Sequence, residues 1–365
     1  MLTRIPVRKE LEQLGVYQPG KPIEEVKRQF GLGRIIKLAS NENPFGYSPM
    51  AKEAMLKEMD KVTLYPEATA PELTQQLSVH LGVSPDEILL GNGSDELIRL
   101  VTRSYIRPGD EAIMADVTFP RYETNVLIDG GSPVKVPLID GVHDLEGMLA
   151  AITSQTRMIF VCNPNNPTGT IVGREALRNF IEQVPGDMLV IVDEAYYEYV
   201  TDLDYLQTLP LLATHPNLLV LRTFSKVYGL AALRVGYAIA QREVLQSLTK
   251  VKDAFNTNRL AQAAALGALK DQEYVAFCRD KNAAGRNYLE REFDRLALQY
   301  YPSQGNFLLV NVSRSGDEVF ASLLQRGIIV RSGTQCDAYP ETIRVTIGTE
   351  EQNEAFIAAL SDSLR

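Results

Sequence analysis

Short apolar runs recur along the chain at 111–115, 134–138, 158–162, 189–192, 218–221 and 237–240, most of them separated by stretches of helical length such as 174–184. Runs of this length bounded by turn residues read as buried strands. Their alternation with helices predicts a largely parallel sheet covered on both faces. Leu73, Leu77 and Leu81 recur four residues apart and stop at Gly82, the pattern of an amphipathic helix closed by a C-terminal glycine. Residues 1–48 are irregular, with Q-P-G-K-P at 18–22 and N-E-N-P-F-G at 41–46, and are expected to wrap a core rather than form one. Beyond about 250 the texture changes. A helical stretch over 274–296 carries alternating charges; strand-like runs at 307–312, 328–331 and 343–348 then alternate with helices, ending in Glu350–Leu364. The expected organisation is α/β: a large domain over 45–250, and a smaller α+β domain built from 251–365 together with 1–44. The division is expected on 251–259, and no internal repeat is visible.

Composition narrows the function classes. A chain of 365 residues can bury a full core. A formal charge of −9 argues against a nucleic-acid or acidic-membrane surface, because phosphate backbones are bound through excess Lys and Arg. Three cysteines without a C-x-x-C spacing fit neither a disulfide framework nor a thiolate zinc site. Three scattered histidines give no metal-ligand spacing and make histidine-based catalysis a poor reading. No apolar run approaches the roughly 18 residues of a membrane span, and no signal-peptide stretch opens the chain, so a cytoplasmic setting is expected.

The chemistry lies where the apolar runs end. L-L-V-L-R-T-F-S-K at 218–226 delivers Thr223, Ser225 and Lys226 to a strand end. Lysine can form a Schiff base with a carbonyl cofactor, and a neighbouring cation lowers its pKa. N-P-N-N-P-T-G follows Cys162, and its prolines and glycine fix a turn that orients the Asn166 amide. D-E-A-Y puts Asp193 at the end of M-L-V-I-V, where a buried carboxylate must meet a cation or take up a proton. A protonated pyridine nitrogen is one such cation. I-L-L runs into G-N-G-S-D-E and then a helix, whose first-turn N–H groups suit a phosphate, while the carboxylates of Asp95 and Glu96 oppose one unless they point away. Glu96 stands where a dinucleotide fingerprint needs its third glycine, so that reading fails. Arg234, eight positions beyond Lys226, could clamp a phosphate. An amine for an aldehyde, a carboxylate for a ring nitrogen and a cationic phosphate cradle together describe pyridoxal 5′-phosphate.

As a set, L-A-S-N-E-N-P-F-G, L-Y-P-E, G-N-G-S-D-E, N-P-N-N-P-T-G, D-E-A-Y, R-T-F-S-K, G-L-A-A-L-R-V-G, N-F-L-L-V, G-I-I-V-R and I-R-V-T-I-G resemble the fold-type I pyridoxal-phosphate aminotransferases nearly end to end, and most of all their histidinol-phosphate branch. The resemblance implies that Lys226 carries the cofactor and moves the substrate proton, that Asp193 pairs with the ring nitrogen, and that Asn166 and Tyr196 bond the ring oxygen. Phe119, in V-T-F-P-R-Y, would stack on the ring. Ser94, Asp95, Thr223, Ser225 and Arg234 would hold the phosphate, joined by Tyr65 from a neighbouring subunit, which implies a homodimer with shared sites. Arg344 would take the carboxylate of 2-oxoglutarate, and Arg331 the substrate phosphate; Tyr17 and Asn43 lie in the segment that closes over the substrate. The implied reaction turns L-histidinol phosphate and 2-oxoglutarate into imidazole acetol phosphate and L-glutamate, in histidine biosynthesis. The rivals on the same scaffold are an aromatic amino-acid aminotransferase and a threonine-phosphate decarboxylase. One departure is visible: Ala231-Ala232-Leu233-Arg234 stands where the family usually has A-G-L-R, a small packing change near the phosphate loop.

Overall fold

The computed structural model describes residues 5, 7–12, 14–15 and 20–365. Its strands are β1 (Ile36–Lys37), β2 (Ile88–Gly91), β3 (Glu111–Ala115), β4 (Ser132–Val136), β5 (Thr156–Cys162), β6 (Leu189–Asp193), β7 (Leu218–Thr223), β8 (Gly236–Ala240), β9 (Phe307–Asn311), β10 (Ile328–Ile329), β11 (Arg331–Ser332) and β12 (Thr342–Thr346). The large sheet runs in the order β2-β8-β7-β6-β5-β3-β4. β8 is antiparallel to both of its neighbours, and the other pairings are parallel. Both faces are covered, as near-continuous apolar strands require. Val190, Val192 and Val220 pack into one cluster with Leu73, Leu77 and Phe180, while Ile191, Leu219 and Leu221 pack on the opposite side with Leu97, Val101 and Tyr122.

The expected strands at 111–115 and 218–221 are present, the second extended to Thr223. The expected run 328–331 is broken into β10 and β11, because Ile328 and Ile329 pair with β1 and Arg331 and Ser332 pair with β12. The smaller sheet is antiparallel, in the order β11-β12-β9, over a core that includes Leu289, Phe293, Leu308, Val310 and Phe356.

Helix boundaries follow local chemistry. Pro71 begins the helix Pro71–Leu81, and Gly82 closes it in the left-handed conformation at φ 69°. Thr349 and Gln352 cap the helix Glu350–Leu364 reciprocally. Asp271 caps the 24-residue helix Gln272–Arg295 by accepting from the Tyr274 backbone N–H. That helix joins two cores: Val275 and Cys278 pack with the large sheet, Leu289 and Phe293 with the small one.

The irregular segment around residue 43 is pinned beside the end of β7. Asn43 donates its side-chain amide to the Val227 carbonyl at 2.7 Å, and Phe45 donates its backbone N–H back to Asn43 Oδ1 at 3.0 Å. Gly229, at φ 71°, allows this approach, since an added methyl would run into the Gly46 carbonyl oxygen. Gly229→Ala should therefore lower stability by about 1–3 kcal/mol, read as a fall in the urea midpoint with an unchanged slope; an unchanged midpoint would contradict this packing.

Candidate functional site: the carboxyl edge of the large sheet

Parallel pairing brings three loops to one edge. Cys162 pairs with Asp193, and Asp193 with Leu221, so the turns after β5, β6 and β7 emerge side by side. In the first turn both prolyl bonds, Asn163–Pro164 and Asn166–Pro167, are cis. Asn165 is fully buried, donates to the Val117 carbonyl and to Thr168, and accepts from Thr118. That network leaves Asn166 facing β12, where its Oδ1 accepts from Arg344 Nη1 at 2.7 Å.

Asp193 is buried. Its Oδ2 accepts from the Tyr122 hydroxyl at 2.7 Å and its Oδ1 from the Ala195 N–H at 3.1 Å. Burial raises its pKa to about 6 despite both donors. No cation among the described residues forms an ion pair with it, so the site presents a carboxylate that a positively charged ring nitrogen would complement. Burial also lowers Lys226, to about 8, assisted by the Arg344 and Arg234 charges and opposed by Asp95 and Glu42. Its Nζ lies 5.4 Å from the centre of the Tyr196 ring. The Tyr196 hydroxyl accepts from Asn41 Nδ2 at 3.0 Å, and burial pushes its ionisation upward, so it remains a hydrogen-bond donor at neutral pH. Phe119 meets Tyr122 edge to face at 5.6 Å, and Tyr122 in turn stacks on Phe160.

The second part of the site is a hydroxyl and cation cradle. Ser94 begins the helix Ser94–Tyr105 after Gly93, which is at φ 80°. Any side chain at Gly93 would collide with the Arg234 guanidinium. Arg234 itself adopts the left-handed conformation at φ 56° and donates to Ser225 Oγ at 3.2 Å; Thr223 donates to the same oxygen at 2.9 Å. Asp95 lies 3.6 Å from Arg234 Nη2. Glu96 is turned away, its Oε2 accepting from the Asn92 N–H and from Asn256, each at 2.6 Å. The free N–H groups of a helix start, two hydroxyls and a guanidinium fit a phosphate dianion.

The remaining expected residues divide. Arg331 and Arg344 are directly opposite each other across β11 and β12. Arg331 donates to the Gln335 carbonyl. Arg344 donates to Asn166 and to the Ala39 carbonyl, while its Nε is buried without a partner. Two adjacent guanidiniums call for anions between or beside them. Asn43 holds the Val227 backbone and the Cys278 sulfur. Tyr65 is 79% exposed, stacks on Phe255 at 4.7 Å and accepts from Arg259 at its backbone carbonyl. Tyr17 lies outside the described residues.

Sequence reasoning missed Asn41, Tyr122 and the pair behind the site, Glu194 and Arg222. Tyr122 falls three residues after Phe119, one helical turn on, and that spacing was its only signal. Glu194 and Arg222 each flank a motif residue at the end of an apolar run, where a buried charge needs a partner.

A buried uncompensated carboxylate, a lysine with a lowered pKa and a phosphate cradle fit pyridoxal 5′-phosphate group by group. Comparison with known proteins gives the same chemistry. The family "Aminotransferase class I and II" matches residues 33–360. A histidinol-phosphate aminotransferase of Brevibacillus brevis is 53% identical over 347 residues, 95% of each chain. One of Anoxybacillus flavithermus is 49% identical over 98% of this chain and 96% of its own. The crystal structure of histidinol-phosphate aminotransferase from Sinorhizobium meliloti in complex with pyridoxal-5′-phosphate superposes with a TM-score of 0.90 at 29% identity, covering 100% of this chain and 98% of that one. The chain belongs to the class I and II aminotransferases.

Proposed function

We propose that this protein transfers the amino group of L-histidinol phosphate to 2-oxoglutarate, giving imidazole acetol phosphate and L-glutamate in histidine biosynthesis. The observation that carries the substrate is identity of about half the positions, over nearly the whole chain, with histidinol-phosphate aminotransferases. Neither the aromatic enzymes nor the threonine-phosphate decarboxylases has comparable support.

Bound at this edge, pyridoxal 5′-phosphate supplies an aldehyde that captures amines and a ring that takes up the electrons released when the substrate's α-carbon loses a proton. The chain supplies the rest. Lys226 is the amine that would hold the cofactor, and its Nζ, 5.4 Å from the centre of the Tyr196 ring, would be the base that moves the proton of the substrate's α-carbon. Its lowered pKa makes both roles accessible near neutral pH. Asp193, steadied by Tyr122 and Ala195, keeps the ring nitrogen protonated. Tyr196 and Asn166 orient the ring oxygen, and Phe119 packs on the ring. Ser94, Asp95, Thr223, Ser225 and Arg234 anchor the phosphate, through backbone N–H groups at the helix start and through side chains at the other three. Arg344 receives the 2-oxoglutarate carboxylate and Arg331 the substrate phosphate, with Asn43 in the segment held against the Val227 carbonyl.

We also infer a homodimer in which Tyr65 completes the partner's phosphate site. In support, Leu56, Val62, Leu64 and Tyr65 are each more than half exposed, an apolar set that a single chain leaves in water. A cytoplasmic setting accords with the three cysteines, all free thiols.

Half-reactions followed by the cofactor's visible absorbance test the substrate. Histidinol phosphate should bleach the aldehyde band fastest, and Lys226→Ala should bleach it at no measurable rate while sedimenting as the same dimer; faster turnover of phenylalanine, or carbon dioxide released from threonine phosphate, would overturn the reading. Loading has its own pH signature. Lys226 is lowered to about 8, and only the neutral amine attacks an aldehyde. The rate of cofactor capture by the empty protein should therefore rise about tenfold from pH 6 to 7 and level off above about 8. A rate still climbing at pH 10 would show an ordinary, solvated lysine.

A further inference from the structure

A cavity of about 720 Å³ lies behind the strand ends that carry the site, between the end of the helix Pro71–Leu81, the 3-10 turn Tyr197–Tyr199 and the start of the helix Gln272–Arg295. Strand alternation produces it. Asp193 and Thr223 continue the face of Ile191 and Leu221, so Glu194 and Arg222 point to the other face, where the cavity opens.

Arg222 and Arg279 match Glu198 and Asp202 in number on its wall, and Glu194, behind Arg222, adds a negative charge to the inner part. Arg222 Nε and Nη2 both donate to Glu194 Oε2 at 2.8 Å, and Thr208 donates to the other oxygen. The guanidinium covers the Tyr197 ring, with its central carbon 3.6 Å from the ring centre. Arg222 is thus already compensated. Glu198, which lines the same cavity, has no ion pair among the described residues. Burial pushes its carboxyl up to about 7; Arg222 and its own N–H only partly offset this, and Glu194 adds to it. The other charged groups facing the cavity are directed elsewhere. Arg279 is turned to Asp280 at 3.1 Å, Asp202 caps the Asp204 N–H at 2.8 Å, and His80, at the rim, is held below the ordinary imidazole value by burial and by Arg222. The inner cluster of Glu194, Arg222 and Glu198 is left one negative charge in excess. Tyr205 and Tyr228 also line the cavity, and phenol faces favour cations over anions.

We propose that this cavity is a second ligand site, separate from the aminotransferase centre, that takes a small organic cation, a guanidinium or a substituted ammonium, on the Glu198 carboxylate. Its volume lies within the range of small-molecule sites and leaves room for such a cation. Such a cation supplies the charge that Arg222, held by Glu194, does not, and it displaces the proton that Glu198 otherwise takes up near neutrality.

The test is calorimetric titration of the cofactor-loaded enzyme with methylguanidinium chloride and with tetramethylammonium chloride at constant ionic strength; tetramethylammonium cannot condense with the cofactor's aldehyde. Saturable binding, one cation per chain, is expected at pH 8. Because the proton competes for a carboxyl near 7, affinity should fall about tenfold between pH 8 and pH 6. Glu198→Gln should weaken binding at least tenfold while leaving the cofactor's absorbance and the melting temperature unchanged. No saturable binding, or binding that Glu198→Gln leaves intact, would overturn the proposal. So would an affinity flat from pH 6 to 8 in the unmodified protein, a result that does not depend on the variant folding.

Discussion

The alternation of a β-strand gives one side of the large sheet the candidate site and the other a buried ion pair. Successive residues point to opposite faces, so a chain that turns Asp193 toward the candidate site must turn Glu194 to the opposite side. The same holds one strand over, where Thr223 turns toward the phosphate cradle and Arg222 turns away. Glu194 and Arg222 are each other's answer, a buried ion pair with its remaining oxygen bonded to Thr208. Removing one partner of such a pair strands a charge in low dielectric, at a cost of about 3–5 kcal/mol. The pair also bridges the ends of β6 and β7, beside the backbone pairing of Asp193 with Leu221.

Electrostatics on the catalytic side follow one logic. Asp193 is raised, Lys226 is lowered, and the Tyr196 hydroxyl is held protonated, in each case chiefly by burial. Each shift brings the group nearer to uncharged at neutral pH, where it can be switched by a ligand that carries the missing charge. The cradle works differently: its partly exposed Arg234 is positioned by a left-handed backbone and by hydrogen bonds to Ser225 and the Ala231 carbonyl.

Much of this was legible in the sequence. The apolar runs located the strands to within a few residues, because buried parallel strands have no polar face to blur the signal. Lys226, Asp193 and Asn166 stood out because each is polar at the end of such a run. Periodicity could not show that 328–331 would be shared between two sheets, since partner choice is a property of β1 and β12 rather than of the run itself. Nor could it show that Asn41 reaches Tyr196, or that Tyr122 reaches Asp193, contacts that span 155 and 71 positions. Local motifs report what a strand end offers and leave unsaid what arrives from elsewhere to meet it.

The helix Gln272–Arg295 carries a mechanical consequence. Rooted in the large core at Val275 and Cys278 and in the small core at Leu289 and Phe293, it works as a rigid shaft, 24 residues and about 36 Å long. A tilt of about 5° about its large-core end would carry the far end through about 3 Å. That is the diameter of a water molecule, delivered to the sheet that bears Arg331 and Arg344 by a rotation too small to break either core.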